Sequence, residues 1–205
     1  MKKKNIFLYF LLARDHESNI TENVIKKINS KNIKHKKCIH SLLYKDIIHD
    51  EHYLLYEKWY VSSVDEGVLL NQETLKHLSD ELLENNILKT VIWNELYTTK
   101  GFDTIDRHKG NVVSISEASL KSDAISGLFD LFETLISNIK KYKGILGCSL
   151  SIPNEGELDY VLLKIIWKSA ELREEAINDP SFIALKGKLS KYINGNINIM
   201  LFKEV

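Results

Sequence analysis

One order of hydrophobic periodicities occurs twice along the chain, and this repetition restricts the possible folds more than any other feature. In the first half, Ile6–Ala13 is an apolar run. Phe7, Tyr9 and Leu11 alternate with Ile6, Leu8, Phe10 and Leu12, so both faces are apolar, as in a strand buried on both sides. Ile20, Val24, Ile25 and Ile28 then recur at helical spacing, with Ser18 or Asn19 as the N-cap. "CIHSLLY" (Cys38–Tyr44) and "YLLYEKWY" (Tyr53–Tyr60) read as strands joined by the polar "KDIIHDEH". Leu75, Leu78, Leu82 and Leu83 mark a second helix that stops near Asn85–Asn86, and "ILKTVIWNELY" (Ile87–Tyr97) is a fourth strand. The order is βαββαβ.

The second half has the same order. Val112–Leu120 is a strand. Leu128, Phe129, Leu131, Phe132, Leu135, Ile136 and Ile139 form an apolar helix ending near Gly144. "ILGCSLSI" (Ile145–Ile152) and "YVLLKIIW" (Tyr160–Trp167) are strands around the turn "PNEGE". A helical region follows, broken at "NDP", where Asp179 serves as a cap and Pro180 fits a first turn. Phe182, Leu185, Leu189 and Ile193 give its apolar stripe, and "NINIMLFKEV" is the last strand. The copies agree in detail: each third strand runs from tyrosine to tryptophan, and each second strand carries a cysteine, Cys38 or Cys148.

A βαββαβ unit is the ferredoxin-like split βαβ arrangement, with helices on one face of its sheet. Strands that are apolar on both faces need a second cover, and the other half's sheet is the expected one. The expectation is therefore an α+β protein of two tandem ferredoxin-like domains, packed sheet to sheet as an intramolecular dimeric α+β barrel. The domains expected are 1–98 and 111–205, with the polar 99–110 as linker. A pseudo-dimer within one chain implies a monomer or a weak homodimer.

Composition narrows the partners. Lys plus Arg and Asp plus Glu number 28 each, so no net field favours nucleic acid or an anionic membrane. The basic "KNIKHKKC" (Lys31–Cys38) lacks interleaved aromatics and is a weak polyanion signal. No apolar run has the length of a membrane span. The start, "MKKKNIFLYFLLARD", has a leader's charge pattern, but no small-x-small site follows; Arg14, Asp15 and His16 come instead. The expected location is the cytoplasm. Two cysteines make neither a disulfide framework nor a metal cluster, and "HDEH" (His49–His52) reads as a solvated turn, so no metal is expected.

"YVLLKIIWKSAELREEAINDPSFIALKGKLSKY" ends a strand in Trp-x-Ser, continues as helix, and opens a second helix with Asp-Pro-x-Phe. This resembles the antibiotic biosynthesis monooxygenase domain family, of the dimeric α+β barrel superfamily. "YLLYEKWYVSSVDEGVLLNQETLKHL" is a looser copy that keeps Glu57-x-Trp59. The resemblance implies a cofactor-independent, monooxygenase-like activity on a small aromatic or quinone-type substrate, without metal or flavin. The alternative is a non-catalytic binding or structural protein that retains the fold. Haem-degrading relatives place a tryptophan and a histidine on the last helical region; Ala176 and Lys186 fall at those positions in the second copy, which argues against that chemistry there.

Such oxygenation needs an oxidisable phenol or quinol in a water-poor pocket with a hydrogen-bonding acid or base. His77 and Glu57 are the candidate catalytic residues, His77 being the better base because imidazole titrates near working pH. His40, Tyr44, Tyr56 and Trp59 are the candidate substrate contacts. Matching second-half positions are mostly apolar or lysine; Ile165 replaces Glu57. The pocket is therefore expected in the first half, between sheet and helices.

Overall fold

The computed structural model describes residues 3–13, 18–82, 87–100, 102, 111–121, 124–138, 142–153 and 160–205. Arg14–His16, Leu83, the Asn85–Asn86 stop, Ile139, most of the 99–110 linker and the turn after Pro153 lie outside these residues. So do the side chains of Ser18, Asn19, Leu135 and Ile136.

The fold is α+β, and the chain divides into two compact units. The first contains β1 (Lys3–Leu12), α1 (Ser18–Asn32), β2 (Cys38–Asp46), β3 (His52–Val61), α2 (Val64–Glu81) and most of β4 (Ile87–Thr98). Strand β3 lies between β1 and β2, and β1 also pairs with β4, all antiparallel. The second unit contains β5 (Val112–Leu120), α3 (Ile125–Asn138), β6 (Ile145–Pro153), β7 (Tyr160–Trp167), α4 (Ala170–Ile177), α5 (Pro180–Leu189) and most of β8 (Ile193–Glu204). There β7 lies between β5 and β6, again antiparallel. Each unit thus realises the βαββαβ order read from the sequence.

The helix ends account for the sequence motifs. Ser63 caps α2 by accepting from the Glu66 N–H, and Glu66 Oε2 accepts from the Ser62 N–H, a reciprocal arrangement that satisfies two orphan donors. In Trp-x-Ser the serine is Ser169, which caps α4 through the Leu172 N–H. In Asp-Pro-x-Phe, Asp179 caps α5 through the Ser181 N–H, Pro180 begins the helix, and Phe182 packs on Trp167 and Tyr142. The motif shapes one corner of the second unit. Gly144, at φ +95°, turns the chain into β6, and a Cβ there would lie 2.5 Å from Leu172 Cβ.

Ile193 departs from expectation. It opens β8 instead of closing the α5 stripe. The helix stops at Leu189, where the Ser190 N–H reaches the Lys186 and Lys188 carbonyls, and the Tyr192 N–H turns back to Leu189. Ile193 stays in the same apolar cluster from its strand position.

The units also trade strand ends relative to a cut at 98 and 111. The first unit comprises Met1–Glu95 and Phe202–Val205; the second is Leu96–Leu201. The reason is pairing. The end of β8 adds to β2 with Tyr44 opposite Glu204 and Asp46 opposite Phe202, and the Val205 N–H donates to the Leu43 carbonyl. Phe202 is buried, with its ring 6.4 Å from that of Tyr44. Phe202→Ala is expected to cost about 3 kcal/mol of stability through lost burial and a residual void. Urea unfolding checks this; an unchanged midpoint would mean that the C-terminal residues do not complete the first unit.

Candidate functional site

In the first unit, strand alternation sends Glu57 and Trp59 to the helix side of the sheet with Phe7, Tyr9 and Leu11. Glu57 is completely buried. Its carboxylate accepts from Asn32 Nδ2 (2.5 Å) on α1, Ser41 Oγ (3.2 Å) on β2, Trp59 Nε1 (3.1 Å) on β3 and Thr74 Oγ1 (3.2 Å) on α2. One side chain therefore ties two helices to two strands. Burial pushes its pKa above the usual carboxylate range, and the hydrogen bonds from Asn32, Trp59, Thr74 and Ser41 oppose that rise. Nearby Tyr9 is also held well above its ordinary value, first by burial and then by the Glu57 charge.

The other candidates divide by position. His77 is half-buried on α2, with its Nε2 2.5 Å from Lys31 Nζ; an ammonium only donates, so this nitrogen accepts. His77, Lys31, His35, Asn32, Trp59 and Thr74 border a cleft of about 110 Å³. His40, Tyr44 and Tyr56 are buried on the opposite sheet face, in register with Lys58, Leu54 and Leu42 respectively. The six side chains expected to line one pocket therefore do not share one, because neighbouring strand residues point to opposite faces. The same opposite face carries an ion pair absent from the sequence reading. Lys58 Nζ lies 2.6 Å from Glu95 Oε1, both essentially buried, and Lys4 lies 3.6 Å from the same carboxylate.

The roomier cavity is in the second unit. It has a volume of about 370 Å³ and lies between the sheet and the helices, with Trp167, Phe132 and Phe182 in its wall. Strand register explains it. Trp59, Glu57, Leu55 and Tyr53 of β3 face Asn5, Phe7, Tyr9 and Leu11 of β1. The corresponding Trp167, Ile165, Leu163 and Val161 of β7 face Val112, Ser114, Ser116 and Ala118 of β5. Three bulky side chains are thus replaced by two serines and an alanine, and a tyrosine by a valine. Such large-to-small changes leave space unless the backbone collapses. In the first unit the described space is the small cleft beside His77 and Trp59, and Phe7, Tyr9 and Leu11 fill the volume equivalent to the larger cavity. The equivalent tryptophans also change partner, Trp59 donating to Glu57 and Trp167 to Ser114 Oγ at 2.9 Å.

The cavity wall also includes Arg173, Asn178 and Lys186, none of them singled out in the sequence as site residues. A comparison of "FLYFL" with "SISEA" at matched strand positions carries the signal that would have found the space. Among the described residues no group of three or more His, Cys, Asp or Glu could hold a metal, and no helix is long and apolar enough to cross a membrane. Burial pushes the Cys148 thiol up to about 12, which leaves it inert.

Neither a protein-family model nor a curated protein matches the sequence. Solved structures do match. An anthrone oxidase-like protein aligns over 100% of this chain and 92% of its own, with TM-score 0.73 and 10% identity. A ferredoxin-fold protein related to antibiotic biosynthesis monooxygenases, from Listeria monocytogenes, aligns over 100% and 96%, with TM-score 0.63 and 11% identity. A regulator of staphylococcal pathogenesis aligns over 98% and 99%, with TM-score 0.62 and 11% identity. At these identities the likeness establishes a shared ferredoxin-type fold across the whole chain.

The Glu57 cluster yields a stability prediction. The folded state holds this proton more tightly than the unfolded chain, so more protons are bound in the folded state between the two pKa values. Stability therefore falls as pH rises from the ordinary carboxylate value, about 4.3, to the raised folded value, and is level above it. Glu57→Gln should remove this decline, whereas Glu57→Ala should cost about 2–4 kcal/mol by orphaning buried donors. Urea midpoints measured across this pH range compare the three chains; parallel profiles for wild type and Glu57→Gln would remove the charge from the account.

Proposed function

We propose that the protein binds a small, flat aromatic molecule in the cavity of the second unit and oxidises it with O₂ as a cofactor-independent, monooxygenase-like enzyme. The observation that carries this reading is the cavity itself, about 370 Å³, with a mainly apolar wall and aromatic faces. Its size is in the range of small-molecule sites. The match in fold to an anthrone oxidase-like protein suggests a probe. An anthrone-type methylene loses a proton to give an enolate, which passes one electron to O₂. The resulting radical and superoxide join as a peroxide anion, which takes back from solvent the proton given up in the first step; the hydroperoxide then loses water to leave a second carbonyl. The net change is substrate plus O₂ to quinone plus water.

The chain's contribution in this reading is to hold the ring and exclude bulk water, so that the electron-rich anion meets O₂ in a dry site. The reading assigns the chemistry to this cavity and gives Glu57 and His77 no catalytic role. One observation favours a second reading, a binding protein without chemistry. Among the described residues, no histidine or carboxylate lines the cavity to take the proton.

Ser116→Tyr copies Tyr9 of the first unit into the space. It should lower the affinity for anthrone at least about tenfold and raise the unfolding midpoint by filling the void. Quenching of tryptophan fluorescence measures binding, and an oxygen electrode measures anthrone-dependent O₂ uptake. Binding without uptake above the buffer rate selects the second reading. Failure of the wild type to bind, or equal binding by Ser116→Tyr, would remove the cavity from both.

A further inference from the structure

We infer that the cavity's ligand is an aromatic carboxylate, anchored by the guanidinium of Arg173; the inference rests on the cavity being a ligand site, as proposed above. Arg173 stands on α4 and is 9% exposed. With Ala176 it forms the buried face of that helix, three residues apart on one side. An apolar residue is expected on such a face. Arginine stands there instead, and it lines the cavity.

A guanidinium stays charged at any working pH, so burying it is costly unless its donors are matched. One terminal nitrogen lies 2.5 Å from Glu174 Oε1, but the Glu174 side chain is 60% exposed, so that contact is screened. The Nε atom is buried and has no hydrogen-bond partner among the described residues. The lining offers no negative charge among the described residues. Among those residues it contains Lys186, a second cation, and no aspartate or glutamate; its other polar groups, Ser114, Ser116 and Asn178, are neutral, and Ser114 is already engaged by Trp167. A positive charge therefore lies in a mainly apolar wall.

A carboxylate answers this geometry. It accepts charge-assisted bonds from a guanidinium, and these are stronger than a bond to a neutral oxygen. The rest of the ligand meets Trp167, Phe132 and Phe182, which suits an aromatic body. Lys186, exposed on α5, adds a field of the same sign where a ligand would approach.

The test uses 2-naphthoate and its methyl ester, which share a ring and differ in charge. Titration calorimetry on the wild-type chain should show the acid binding at least about tenfold more tightly than the ester. Arg173→Gln should abolish that preference while leaving ester affinity within about twofold. Arg173→Lys, which keeps the charge and loses the fork, should retain part of it. The unfolding midpoint of unliganded Arg173→Gln should match or exceed the wild type; a merely structural arginine would lower it. Equal binding of acid and ester by the wild type overturns the carboxylate assignment and leaves the cavity reading standing. A preference that survives in Arg173→Gln overturns the anchor. Binding of neither probe to the wild type removes both readings. If Arg173→Gln fails to fold, the wild-type ratio and Arg173→Lys still decide.

Discussion

The space between a sheet and the helices laid across it must be filled by the inward residues of the strands, because protein interiors pack to near-crystalline density. In this chain one strand in each unit decides whether that happens. β1 presents Phe7, Tyr9 and Leu11; β5 presents Ser114, Ser116 and Ala118 at the same register. The first unit closes into a core and the second keeps a cavity of about 370 Å³. Strand order is the same in both units, and among the described residues the second has one helix more, α5, which lines the cavity. Side-chain volume at three positions of one strand is the largest sequence difference at matched register.

The filled unit carries a different burden, a carboxylate taken out of water. Glu57 is tolerable there because four donors from α1, α2, β2 and β3 converge on it. Removing any one leaves a buried group wanting, so the cluster fixes the positions of both helices more narrowly than apolar contacts would. In the open unit Ile165 stands at the matching place, and the corner is set by Trp167, Phe182 and Tyr142 packing as rings around the capped start of α5. One unit is fastened by polar convergence and the other by aromatic packing. Only the second fastening leaves room beside it.

Most of the architecture was legible in the sequence because it rests on local periodicity. Apolar alternation fixed β1 as a strand, and Ser169 and Asp179-Pro180 marked helix starts that the structure confirms. Ile193 was not legible, since its spacing continues a helical stripe while turn bonds at Ser190 and Tyr192 have already ended the helix. The site was less legible still. Titratable residues in the first half attracted attention by chemical type, but His40, Tyr44 and Tyr56 fall on one sheet face and Glu57 and Trp59 on the other. The cavity is announced by small residues, which draw no notice in a single strand. They become informative only when β5 is set against β1 in register. Arg173 reads in sequence as one more surface charge in "ELREEAI", and only the burial of its helix face shows otherwise.

Proteins of this fold include an anthrone oxidase-like protein and a regulator of pathogenesis, so the fold leaves the function open and the lining has to decide it. A packing defect and a ligand site can have the same volume. They differ in what the wall contains. A defect left by side-chain loss is lined by apolar atoms, and nothing in its origin introduces a charge. Here a guanidinium is held 9% exposed with a donor unmatched, a state less stable than an apolar residue at the same point. Glu174 compensates one end of the guanidinium, and a further acceptor would compensate the rest. The joint presence of open volume and a buried cation is the ground on which we propose a binding site in this unit.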